Sequence, residues 1–292
     1  MLSKNCLILP KLTKRLKKLK LEPVSFKGRK PMREKISRLL SEIEAVHNIR
    51  ILFAVENGSR AWGMESKDSD YDVRFVFYRP VADYLSMTKP AEVIISAYDK
   101  DLNPHEVKGS LIDMSGFDIF KYLKLLYSSN PTTIEWLESQ IVYIGNNNIG
   151  LKRYVEENFN QKRLFFHYFS LFQNSYKSDI QNNGKITYKK YLYAMRGLLN
   201  AKYVQIFNKI PPLNITDTVD ALDETLPAGV AGKFREIIAL KRQGLEKDHV
   251  LNIPVFDAFF QSEAATLHDI PNQKSMDVAV FNDFLKDCLK IG

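Results

Sequence analysis

Cysteine is nearly absent from this 292-residue chain: Cys6 and Cys288 stand close to opposite ends. Neither has a second ligand at metal spacing, so the chain is no zinc finger or disulfide scaffold, and the pair fits a reducing cytoplasm. The five histidines (His47, His105, His167, His249, His268) form no metal-spaced cluster and are assigned no role. No stretch reaches the roughly 18 uninterrupted apolar residues that a membrane helix needs. Leu7-Ile8-Leu9 is too short for the core of a secretory signal and is followed by lysines. The expectation is a cytoplasmic protein with no membrane partner.

What is present is ordinary in amount and uneven in placement. Apolar residues make up 45% and charged residues 26%, enough for a real core in one large domain or two modest ones. The net charge is +8. Residues 1–40 hold thirteen Lys and Arg against Glu22 and Glu34, a net of +11, which leaves the rest of the chain at −3. The basic character therefore belongs to an N-terminal extension, residues 1–30. Such a segment suits contact with a phosphate backbone, and RNA is the partner it suggests; a solvated tail is the plainer reading.

Apolar spacing predicts an amphipathic helix over 32–47 and a short basic helix over 11–21. Strands are predicted at 51–55, 71–78, 93–97 and 109–114, with helices from 117 to 127 and from 132 to 138. After a boundary near 147 the segments 149–180, 186–208, 229–248 and 275–290 carry helical patterning, and no repeat or strand-rich run is visible. The fold class expected is α+β: a small mixed-sheet domain with flanking helices (31–147), then an all-helical domain (148–292).

The chemistry concentrates between Phe53 and Val73. A strand delivers Gly58-Ser59 into a turn, where glycine lets backbone approach a ligand and serine supplies a hydroxyl. Backbone N–H groups in such a turn, at the start of a helix, form an anion site for phosphates. Asp70 and Asp72 stand two residues apart at the start of the next strand, so period two puts both carboxylates on one face. A divalent cation such as Mg²⁺ (or Mn²⁺) relieves their repulsion and takes substrate phosphates as further ligands. Phosphoryl transfer usually adds a third carboxylate. Asp113, at the end of a later strand, fills that role; its alternative is capping the helix that follows. Asp-x-Asp and Gly-Ser are each weak signals, and their joint arrangement is much more specific.

With these residues in hand the chain resembles the DNA polymerase beta superfamily of nucleotidyltransferases, and within it a bacterial and phage group associated with RNA repair and RNA ligases. The resemblance rests on Gly58-Ser59-Arg60-Ala61-Trp62-Gly63, Ser69-Asp70-Tyr71-Asp72-Val73-Arg74, Asp113 to Asp118 with Lys121, Ser129-Asn130-Pro131, Glu135-Trp136-Leu137, and Lys189 to Tyr193 with Arg196. It covers about residues 33–250. It implies that Gly58 and Ser59 hold the triphosphate, that Asp70, Asp72 and Asp113 bind metal and do the catalysis, and that Arg60 and Arg74 are phosphate-facing or structural, with Arg60 counted among the nucleotide-binding residues. Asn57 departs from the serine common in the group.

Lys189, Lys190 and Arg196 on a later helix are expected to include at least one nucleotide contact, against the reading of a solvated basic face. The substrate implied is a nucleoside triphosphate, ATP first among them, and the favoured acceptor is an RNA 3′ end. A protein side chain receiving AMP and an aminoglycoside-like small molecule come after it. An inactive RNA- or partner-binding module is the contrasting class. Oligomeric state is not legible.

Overall fold

A computed structural model describes residues 32–147, 149–181, 186–245, 248, 250, 252–272 and 275–290. The basic extension 1–30, with the expected helix over 11–21, lies outside the described residues. Helix α1 (Met32–His47) buries Ile36, Leu39, Leu40 and Ile43, one stripe of helical period. It is followed by β1 (Arg50–Asn57), a single turn α2 (Gly58–Ala61), β2 (Tyr71–Tyr78), a short α3 (Val81–Tyr84), β3 (Val93–Tyr98) and β4 (Ile112–Asp118). Helices α4 (Ile119–Tyr127) and α5 (Pro131–Glu138) and strand β5 (Val142–Gly145) complete this half.

The five strands form one mixed sheet in the order β3-β4-β2-β1-β5. β2 and β4 run parallel, and the other pairs are antiparallel. Beyond Gly145 the described residues form helices and connections with no multi-residue strand. These are α6 (Lys152–Asn158), α7 (Gln161–Ser175), a π-helical turn (Tyr176–Gln181), α8 (Tyr188–Phe207), α9 (Ile215–Leu222), α10 (Val230–Arg242), α11 (Pro254–Ala265) and α12 (Val278–Leu289). The expected α+β class is the one observed. No described helix is long and apolar enough to cross a membrane.

α9 and α11 lie outside the segments expected to be helical, and two further differences fall in the sheet half. β4 continues through Asp118, where a strand ending at Met114 and a helix from Phe117 were expected. The reason is Gly116: the Phe75 ring occupies the space where its Cβ would stand, 2.1 Å from the nearest ring carbon. Ser115-Gly116 therefore reads as a break yet serves as a packing notch within a strand. The helix cap is Asp118, whose carboxylate accepts from Phe120 N at 3.0 Å, so the capping alternative for Asp113 fails. Asp113 stands near the start of its strand, not its end. β5, only four residues long, lies inside the stretch read as the approach to the boundary.

Alternation sorts the sheet into two faces. Ala54, Val73, Phe75, Phe77, Ile112 and Met114 pack with α1. Phe53, Val55 and Val76 join a larger apolar cluster with the C-terminal helices. Asp72 and Arg74 are in phase with Val76, so they point toward the helical half.

Candidate active site

Strand register sets the geometry. Asn57 pairs with Asp72 across β1–β2, and Asp72 pairs with Asp113 across β2–β4. Three oxygen-bearing side chains thus stand in one row across three strands, facing the helical layer. Asp72 and Asp113 share Arg74, whose Nη2 donates to Asp72 Oδ1 at 3.1 Å and to Asp113 Oδ2 at 2.9 Å. Its Nη1 donates to the carbonyls of Val73 and Asp113, both at 3.1 Å. Arg74 is therefore a carboxylate bridge, the structural of the two roles open to it.

Burial, more than any neighbour, pushes the Asp72 carboxyl up; Arg74 opposes the shift, Asp113 and Asp70 add to it, and Lys189 lowers it. Asp70 is close enough to be felt by Asp72. Even so, no three acidic, histidine or cysteine side chains among the described residues close into a ready-made metal cage. Asp113 Oδ1 is buried without a hydrogen-bond partner, as is Asn57 Oδ1. A buried carboxylate oxygen without a donor suits a cation, since such an atom is costly to leave unpaired. The donor set is all oxygen, which matches Mg²⁺, and that ion leaves much of its shell to phosphate and water.

The turn is built tightly against this row. Gly58 has φ +64°, and a Cβ there would stand 1.8 Å from Asp72 Oδ2. Only glycine lets the turn and the carboxylate coexist. The turn is a single helical turn of four residues, too short to carry a useful dipole, so the helix-terminus contribution expected from the sequence is not there. From Ser59 the chain loops back through Met64 N→Ser59 O (2.9 Å) and Ser66 N→Ser69 Oγ (2.8 Å). Arg60 straps this loop: its side chain donates to Ser69 O at 2.6 Å and Asp70 O at 3.2 Å, and it lies 3.9 Å over the Tyr71 ring. Its placement positions Asp70 and does not aim at a phosphate.

Beneath the row, on the α1 face, Glu56 is fully buried and accepts from Asp72 N at 2.8 Å and from the Tyr143 hydroxyl. Burial pushes its carboxyl up to about 7 against the hydrogen bonds that hold it down. Sequence reading passed over Glu56. A glutamate interrupting the apolar strand Phe53-Ala54-Val55 was the signal.

The three cations expected from the helical half part company. Lys189 is exposed and near enough to influence Asp72. Lys190 turns to Asp179, 4.0 Å away. Arg196 is a correction to the nucleotide-binding set: it is buried, paired with Glu135, and stacked 3.6 Å over Trp62. Trp62 Nε1 and the Tyr168 hydroxyl complete the Glu135 shell at 3.1 and 3.0 Å. A charge with these partners holds the two layers together and has no open side for a triphosphate.

A fourth cation went unread. Lys241, 1% exposed, donates from Nζ to Ser59 Oγ at 3.2 Å. Its signal lay in the pattern: Val230, Phe234, Ile237 and Ile238 form the buried stripe of α10, and Lys241 occupies the next position of that stripe. Beside it Arg242 donates to Gly63 O at 3.1 Å.

The chain is similar to known proteins over most of its length. A family model described as the RNA repair pathway DNA polymerase beta family matches residues 32–287. The chain is similar to an uncharacterized protein, YcgL, of Bacillus subtilis (strain 168), 31% identical over 234 residues, which cover 80% of this chain and 85% of that protein. Among solved structures the chain is similar to a nucleotidyltransferase-like protein from Exiguobacterium sibiricum 255-15, at 12% identity and a TM-score of 0.30, covering 89% of this chain and 80% of that one. The family match spans the sheet, the carboxylate row and the helices that carry Lys189 and Lys241, and it supports a nucleotidyltransferase activity in general terms: the chain belongs to the RNA repair pathway DNA polymerase beta family.

Proposed function

We propose that this protein transfers a nucleoside monophosphate from a nucleoside triphosphate to the 3′ hydroxyl of an RNA, releasing pyrophosphate. The observation that carries the reading is the row Asn57–Asp72–Asp113, with Gly58 pressed against Asp72 at the point where a triphosphate would meet the carboxylates. Asp70, Asp72 and Asp113 are the residues that would hold Mg²⁺ or Mn²⁺, for which the partnerless Asp113 Oδ1 speaks. Divalent ions in such a set neutralise the triphosphate and lower the cost of charge on the attacking oxygen.

The chain's own residues do the remaining work. Ser59 donates its hydroxyl to a phosphate oxygen, and Gly58 lets the backbone come close. Asp113 takes the proton of the acceptor hydroxyl as its oxygen bonds to the α-phosphorus and the bond to the bridging oxygen breaks. Lys189, exposed beside Asp72, balances the triphosphate as a point charge. RNA is favoured as acceptor by the repair-pathway character of the family and by the +11 charge of residues 1–40.

The test is incubation with each labelled triphosphate, Mg²⁺ and an RNA oligonucleotide carrying a 3′ hydroxyl or a blocked 3′ end. Label is expected on the free-hydroxyl RNA alone. Asp70→Ala/Asp72→Ala is expected to lower transfer by about 10³-fold or more. Transfer that survives the double substitution removes the mechanism, and label that goes instead to protein or to small hydroxyl compounds removes the RNA acceptor.

A further inference from the structure

Lys241 lies on α10, about 180 residues from the Gly58-Ser59 turn in sequence, and its ammonium reaches Ser59 Oγ from inside the protein. An ammonium can only donate, so in this contact the serine oxygen must accept. The single hydroxyl hydrogen of Ser59 is then left to point elsewhere, and what it can serve is an acceptor. Phosphate oxygens are acceptors only. With the lysine absent, the hydroxyl could rotate and accept from a neighbouring N–H, and in some orientations it would offer a lone pair to the phosphate.

We propose that Lys241 is the positioning residue for Ser59: it fixes the serine as a donor and so tunes the turn for the outer phosphates of a nucleoside triphosphate. The inference rests on the nucleotidyl-transfer reading and deepens it. Two further features support it. Lys241 is 1% exposed, held in the stripe of Val230, Phe234, Ile237 and Ile238, so its Nζ is placed by packing and has little freedom to wander. Arg242, the next residue, anchors the other end of the same turn through Gly63 O. The end of α10 thus holds the turn at two points and sets the polarity of its one hydroxyl.

The test is a double-mutant cycle on the full chain, read as the dissociation constant of Mg²⁺ with α,β-methylene-ATP, a triphosphate that cannot be cleaved at the α position. Lys241→Met and Ser59→Ala are each expected to weaken binding about tenfold, the loss of one well-aimed hydrogen bond to a charged group. The double variant is expected to be no weaker than either single one, because the lysine acts through the serine. AMP, which lacks the outer phosphates, is expected to bind all four proteins alike. Should Met prove unstable at this buried position, Lys241→Leu, which is shorter and likewise carries no donor, takes its place in the cycle.

Additive losses would mean that Lys241 acts independently of Ser59, and they overturn the proposal. A parallel loss of AMP affinity would mark a general loosening of the site and overturns it too. If the wild type binds the analogue and Lys241→Met binds it equally, this inference alone falls. If the wild type binds neither this analogue nor the α,β-methylene analogues of the other three nucleoside triphosphates, the nucleotidyl-transfer reading falls and takes the inference with it.

Discussion

At the scale of single residues, the site is defined by groups that leave no room for substitution. An alanine at Gly58 would need a left-handed backbone, which costs an L-residue about 1–2 kcal/mol, and its methyl would collide with Asp72 Oδ2. Gly58→Ala is therefore expected to displace the carboxylate, to abolish measurable binding of Mg²⁺ with α,β-methylene-ATP, and to lower the melting temperature only modestly. Unchanged affinity in that variant would show that the turn does not meet the triphosphate. Arg196 makes the opposite prediction. Its removal strands the buried Glu135 carboxylate, so Arg196→Met is expected to destabilise the fold by about 3–5 kcal/mol while the folded fraction keeps its nucleotide affinity. Denaturant titration beside a binding assay separates the two; a binding loss at unchanged stability would return Arg196 to the nucleotide. Asp70, Asp72 and Asp113 could be picked out in the sequence because a Gly-Ser turn, an Asp-x-Asp pair and an aspartate on a later strand occur together, each of them weak alone. Lys241 and Glu56 could not be given partners, because their meaning lies in contacts from distant segments and a lone charge in an apolar run names no counterpart.

At the scale of elements, the parallel register of β2 and β4 does what neither strand does alone. Reading β4 one strand-end wrong would still have placed an aspartate near Asp72, and only the pairing shows that Asp113 is directly beside it. The element boundary at Asp118 carries its own test. Asp118 is 3% exposed, caps α4, and accepts from the Tyr84 hydroxyl at 2.9 Å. Burial raises its carboxyl above the ordinary 3.8, with the Phe120 N–H and the Tyr84 hydroxyl working against the shift. A carboxyl raised on folding binds its proton more tightly in the native state, so its contribution is fully present below the unfolded value. That contribution is lost as pH rises through the folded value. Asp118→Asn keeps the cap oxygen and removes the charge. It is expected to flatten the fall in stability from about pH 4 upward and to leave the protein at least as stable as wild type at neutral pH. Chemical denaturation at a series of pH values checks this, and a wild-type slope retained in the variant would assign the shift to another group.

At the scale of the whole molecule, the sheet and the helices are joined by the same contacts that shape the site. Phe53, Val55 and Val76 of the sheet share one apolar cluster with Leu164, Phe165, Leu192 and Leu198 of the helices. Polar ties cross at the turn: Ile215 N donates to Trp62 O at 3.1 Å, Arg242 to Gly63 O, and Arg196 stacks on Trp62. A change of composition near residue 147 is plain in the sequence, whereas a core shared across it is not, because one-dimensional patterning shows which faces are apolar but not what covers them. The sheet face that carries Asp72 and Arg74 continues into an apolar surface built for the helices, so the first half should not hold its shape alone. Residues 31–147 expressed by themselves would leave Trp62 without Tyr193 and Arg196 and Glu135 without Arg196 and Tyr168, and would uncover the outer side of the apolar cluster around α4 and α5. The fragment is expected to aggregate or to bind a hydrophobic dye with its near-ultraviolet circular dichroism lost. In the full chain, unfolding followed by tryptophan fluorescence from Trp62 and Trp136 should coincide with unfolding followed by helical circular dichroism, as one cooperative unit requires. Two separated transitions, or a fragment with a cooperative melt and dispersed amide resonances, would mean that the halves are independent. The turn would then be held by its own half, and the reach of α10 to Ser59 would be a docking contact that ligand binding could break.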